Sequence, residues 1–138
     1  MTDTETLPDA TQPMAPSSVI VVGYSSKAEG RAALQRAVTE AQLRDSQLLV
    51  VHTSRDVEID ELKAELEASG VRHQIRDAGD AIDPAEELLS AAETALADFI
   101  VIGLRRRSPV GKLLLGSNAQ RILLDAACPV LAVKAEAV

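Results

Sequence analysis

Four short runs without a single polar residue constrain this chain more than anything else in it. They are Val19-Ile20-Val21-Val22, Leu48-Leu49-Val50-Val51, Phe99-Ile100-Val101-Ile102 and Val130-Leu131-Ala132-Val133. A strand with one wet face alternates apolar and polar residues, so a strand apolar at every position has both faces covered. The segments between the runs carry helical spacing. Leu34, Ala37, Val38 and Ala41 make one apolar stripe over a helix from about Ala28 to Leu43. Ser26 as N-cap and Glu29 fit a capping box at its start. A second helix spans Asp56 to Ala68, with Ile59, Leu62 and Leu66 on one face and Gly70 as a left-handed residue past its end. Asp83, Pro84 and Glu86 mark the start of a third, with Leu88, Leu89, Ala92 and Leu96 facing inward. A fourth covers Asn118 to Ala126, with Ser117 as N-cap, Gln120 as its reciprocal partner, and Ile122 and Leu123 buried. A fifth strand lies at Val71, His73 and Ile75, where alternation with Arg72, Gln74 and Arg76 predicts a sheet edge. Strand and helix alternate throughout, which predicts a parallel sheet with helices on both faces.

Composition agrees with this and excludes other classes. The chain has 138 residues, enough for one domain with a real core, and one Phe, one Tyr and no Trp. The core must therefore be Val, Leu, Ile and Ala. So few aromatics argue against single-stranded nucleic acid, and a net charge of −7 argues against DNA or RNA generally. Cys128 is alone, so no intrachain disulfide forms and a cytoplasmic setting is expected. Cys128 itself reads as a small buried apolar residue. Apolar runs this short predict no membrane span. Residues 1–17 are polar, with three prolines, and read as a disordered N-terminal tail without a secretion signal; residues 18–138 read as the folded domain.

Charge is distributed unevenly. From Phe99 to Leu124 there is no acid, yet Arg105, Arg106, Arg107, Lys112 and Arg121 all fall there, so the remainder of the chain carries −12. A local +5 that ends in Gly116-Ser117 at a helix start is a place for an anion, because unpaired N–H groups and the positive dipole end lie there. In parallel sheets ligands bind beyond the carboxyl ends of the strands, which singles out the loops 23–27 and 103–117. Gly111-Lys112 is not a phosphate-binding P-loop: Arg106 and Leu113 stand where that motif needs Gly and Ser or Thr. His52 and Thr53 end the second strand at the same side. His52 reads as a satisfied rim histidine and His73 as surface. Asp80 lies near the mouth without an evident role. No metal site and no catalytic constellation is visible.

Three stretches resemble the universal stress protein family: VIVVGYSSKAEGRAALQRAV from Val19, DPAEELLSAAETALADFIVIG from Asp83, and LLLGSNAQRILLDAACPVLAVK ending at Lys134. The resemblance implies a single-domain Rossmann-like, flavodoxin-like three-layer sandwich. Its five-stranded parallel sheet would have the order 3-2-1-4-5. It also implies a homodimer paired through residues 130–133. One branch of that family binds ATP, with magnesium, through G-x2-G-x9-G-[ST]. Gly103, Gly116 and Ser117 match this motif; Arg106 stands at its second glycine. Ser25 stands where that branch carries an Asp toward the adenosine. By this resemblance Gly103, Arg106, Gly116, Ser117 and Asn118 would hold phosphates, Gly23, Tyr24, Ser25 and Thr53 would line the adenosine side, and Ile102 would also belong to the nucleotide site. The expected function is a small stress-response regulator binding ATP or a related phosphate ligand, with at most slow ATP hydrolysis. The alternative is an interaction module of the same family that binds no nucleotide and meets an acidic partner.

Overall fold

A computed structural model describes residues 18–52, 58–78, 83–105 and 115–135. The chain runs β1 (Val19–Tyr24), α1 (Ala28–Arg44), β2 (Gln47–His52), α2 (Ile59–Ser69), β3 (His73–Asp77), α3 (Pro84–Ala95), β4 (Phe99–Leu104), α4 (Ser117–Asp125) and β5 (Val130–Lys134). The five strands form one parallel sheet in the order β3-β2-β1-β4-β5, as expected. The three most apolar strands are its centre, with Val21 in register with Leu49 on one side and Ile100 on the other. The polar-alternating β3 is an edge, and β5 is the other.

Alternation of side chains splits the core into two layers. On one face Ile20, Val22, Leu48, Val50 and Val101 pack with Ala33, Leu34 and Ala37 of α1 and Leu62 and Leu66 of α2. On the other, Val21, Leu49, Val51, Ile100 and Ile102 meet Ala85, Leu88, Ala91 and Ala92 of α3 and Ile122 of α4. Both faces of the central strands are thus dry, which is why their sequences do not alternate. Cys128 is half-buried and packs against the second layer, less enclosed than expected.

Helix ends match expectation in some places and depart from it in others. Asp83 caps α3 by accepting a hydrogen bond from the Glu86 N–H, with Pro84 in the first turn. Gly70 follows α2 at φ 76°. Ser26 is not the N-cap of α1, the place the capping box gave it. The N-cap of α1 is Lys27, which makes no side-chain capping bond; its own N–H donates to the Ser25 hydroxyl at 3.4 Å. In α4 the N-cap is Gly116, and Ser117 is the first helical residue. The Gln120 amide reaches back to the Leu115 carbonyl at 3.1 Å instead of to Ser117. Two leucines expected inside are outside. Leu96 adopts φ 54° as α3 unwinds, which turns its side chain into solvent at 84% exposure. Leu123 is on the outer side of α4, and only Ile122 of that helix is buried. No described helix is long and apolar enough to cross a membrane.

Candidate functional site

The carboxyl ends of β1 and β4 diverge above the sheet, and a cavity of about 230 Å³ opens between them. Gly23, Tyr24 and Ser25 follow β1 on one side; Ile102 and Gly103 of β4 form the floor. Pro84, Ala85 and Leu88 of α3 and Asn118, Ala119 and Ile122 of α4 close the far wall, and Val51 reaches in from β2. Six of the expected residues therefore meet at one cavity: Gly23, Tyr24, Ser25, Ile102, Gly103 and Asn118. Gly116 and Ser117 lie at the start of α4, exposed and next to the lining rather than in it. Thr53, Arg106, Arg107, Lys112 and Asp80 lie outside the described residues, as does the 1–17 tail.

The two described glycines of the motif differ in what the fold asks of them. Gly103 meets the first turn of α1 so closely that a Cβ there would lie 2.5 Å from the Glu29 carbonyl carbon and 3.0 Å from its Cβ. Its lack of a side chain is a packing requirement. A Cβ at Gly116 would meet no described atom within 4 Å, and its φ of −68° suits any residue. Gly30 packs like Gly103: a Cβ would run into the backbone and hydroxyl of Ser25. Together Gly30 and Gly103 let α1 begin directly against the ends of β1 and β4, which forms the near wall.

The expected anionic pull of the basic residues is smaller than the sequence count. Arg121 forms ion pairs with Asp83 and Glu86 of α3 and, at 3.4 Å, with Asp125 on its own helix. It is a strut between α3 and α4. The Glu86 N–H and then the Arg121 guanidinium hold the Asp83 carboxyl below its usual range, and Asp83 in turn holds Arg121 above its own. Arg105 lies 3.7 Å from the Glu29 carboxylate, an ion pair without a hydrogen bond. His52 is buried at the end of β2 with Nδ1 3.8 Å from Asp77, and it does not line the cavity. Glu29 does line it. Its charge was read from sequence as half of a helix cap. Among the described residues no cluster of three or more His, Cys, Asp or Glu side chains is placed to hold a metal.

The glycine-flanked cavity at the switch between β1 and β4, on this strand order, is where likeness to known proteins becomes decisive. The universal stress protein family model matches residues 57–134. The chain belongs to the universal stress protein family. A universal stress protein of Mycolicibacterium smegmatis is 46% identical over 127 residues, 84% of this chain and 97% of that one. The solved structure of a universal stress protein from Archaeoglobus fulgidus superposes with a TM-score of 0.63 at 29% identity, over 86% of this chain and 98% of that one. A universal stress protein from the same organism, solved in complex with dAMP, gives a TM-score of 0.58 at 24% identity over 86% and 98%. At that identity the likeness is one of fold.

Proposed function

We propose that this universal stress protein is a cytoplasmic, dimeric regulatory domain that binds an adenine nucleotide, or a related phosphate ligand, in the cavity between β1 and β4. The observation that carries the reading is the convergence of Gly23, Tyr24, Ser25, Ile102, Gly103 and Asn118 on one cavity. Apolar walls from Val51, Pro84, Ala85, Leu88, Ala119 and Ile122 suit a flat base. Gly116 and Ser117 present the free N–H groups of the α4 terminus just outside, where a phosphate gains from the helix dipole. Arg106 would add a charge-assisted contact, and magnesium would accompany a triphosphate. A protein of this fold in complex with dAMP supports the choice of ligand class. The edge strand β5 would pair with its copy across a two-fold axis, covering its open N–H and C=O groups. The function is binding and signalling rather than turnover.

Thermal unfolding with and without ATP and magnesium tests this. At a hundredfold excess over the dissociation constant the folded state gains about 2.7 kcal/mol, a clear rise in melting temperature. An unchanged melt at millimolar ATP contradicts the reading. A second reading draws on Ser25 and Arg106, which stand where the nucleotide-binding branch carries Asp and Gly. It makes the chain an interaction module that binds no nucleotide and contacts an acidic partner.

A further inference from the structure

Leu96 is the side chain that folding explains least. It ends α3 at φ 54°, a backbone that favours glycine, and it is 84% exposed. Strained non-glycine residues of this kind cluster at functional sites. Leu96 stands at the edge of a second cavity, of about 400 Å³, between α3 and α4. Arg121 ties the start of α3 to the middle of α4 through Asp83 and Glu86. Further along both helices Ala92 and Ala126 are too small to fill the gap, which reaches Leu89, Ile100 and Cys128. Glu86, Glu93 and Asp125 also line it, and no described lining residue is basic. Arg121 offsets one of these charges and not all three. Both helices end at this cavity, and neither has a basic residue in its last turn to offset the negative end of its dipole. An apolar floor in a negative surround complements a basic amphipathic segment. One apolar side chain enters beside Leu96, and flanking Lys or Arg residues meet the carboxylates and helix ends.

We propose that the groove between the C-terminal ends of α3 and α4 docks a basic amphipathic segment of a partner protein, with Leu96 held outward as an apolar contact. Leu96 and Ala97 precede β4, and Ala127 and Cys128 precede β5, so the groove lies at the amino ends of the strands. The cavity between β1 and β4 lies at their carboxyl ends. Docking therefore does not rest on the nucleotide reading and stands or falls apart from it.

Cys128 is the chain's single cysteine and lines the groove, so its alkylation by iodoacetamide reports occupancy. Burial, and then Asp98, raises the thiol pKa, which makes the reaction slow enough to follow by mass spectrometry. The probe is a helical peptide of leucine and lysine; a leucine–glutamate peptide of the same pattern is its control. The lysine peptide is expected to slow alkylation of wild type saturably and the glutamate peptide to leave it unchanged. Leu96→Gly, which relieves the backbone strain and melts no lower than wild type, should bind roughly 10-fold more weakly, the scale of burying one leucine. Glu93→Lys should weaken binding about 3-fold or more. Glu67→Lys, exposed on α2 at the other face of the sheet, changes the net charge equally and should stay within about 2-fold of wild type. No protection by the lysine peptide, unchanged affinity in Leu96→Gly, or equal losses in the two Glu→Lys variants overturns the proposal. Equal protection by spermine would make the groove a small-cation site, and alkylation that slows with protein concentration alone would assign it to a second copy of this chain; either result also overturns it.

Discussion

Replacing Gly103 with Ala should unfold this protein far more readily than replacing Gly116, although one sequence motif contains both. The new methyl at position 103 would lie 2.5 Å from the Glu29 carbonyl carbon. Ordinary carbon contacts are about 3.5–4.0 Å, and the Glu29 carbonyl oxygen lies nearer still, so more than about 1 Å must be found. The obstacle is backbone, and β4 is pinned between β1 and β5 while α1 is packed on the sheet. No rotamer change relieves it. Overpacking typically costs about 1–3 kcal/mol, and a backbone-on-backbone case belongs at the top of that range. For a domain of this size about 3 kcal/mol lowers the melting temperature by roughly 12 °C. At Gly116 the methyl meets no described atom. Ala gains about 0.4–1 kcal/mol from the less flexible unfolded chain and loses a similar amount as a poor N-cap, so stability should stay within about 1 kcal/mol of wild type. Calorimetric melts of both variants without ligand are the assay. A Gly103→Ala melt within 2–3 °C of wild type would refute the packing argument.

Other consequences follow from the same structure. Glu40 accepts hydrogen bonds from Arg44 and Arg36 at 3.0 and 2.9 Å, which hold its carboxyl below the usual range. Because the folded pKa lies below the unfolded one, this stabilisation is present above the unfolded pKa and is lost as pH falls through the folded one. Glu40→Gln should therefore show a flatter acid limb in a stability–pH profile; an unchanged limb would count against the assignment. Arg121→Gln should lower the melting temperature by breaking the α3–α4 strut, and the deficit should shrink in 1 M salt, where exposed pairs are screened. Leu96→Gly should raise stability by about 0.5–1 kcal/mol in urea unfolding, because a largely exposed leucine is held at φ 54°. Sedimentation should show a wild-type dimer and a Leu131→Lys monomer if β5 is the pairing edge; two monomers would end the dimer proposal.

Much of the fold was legible because burial on both faces writes itself directly into a strand. The runs at 19–22, 48–51 and 99–102 gave the sheet's centre, and alternation at 71–76 gave its edge. Strand order came from family resemblance, since periodicity says nothing about which strands are neighbours. Helix ends were harder to read. Ser26 and Ser117 had the chemistry of caps, yet the helices begin after Lys27 and Gly116, because the packing of α1 against Gly103 sets its start. Leu96 and Leu123 fit a helical stripe but missed the core, one through a left-handed turn and the other by its angle around α4. At the cavity the resemblance placed six lining residues. It gave no hint of Glu29, nor that Arg121 would be neutralised by acids nearly forty positions away, which only tertiary structure brings together.

The central claim is that the cavity between β1 and β4 holds a nucleotide. It is tested most directly by mass spectrometry of small molecules released from freshly purified, heat-denatured protein, followed by titration of the emptied protein with ATP and magnesium. The account predicts an adenine nucleotide near one per chain, or a saturable heat of binding. A protein that releases nothing and gives no heat would contradict it and would favour the interaction module.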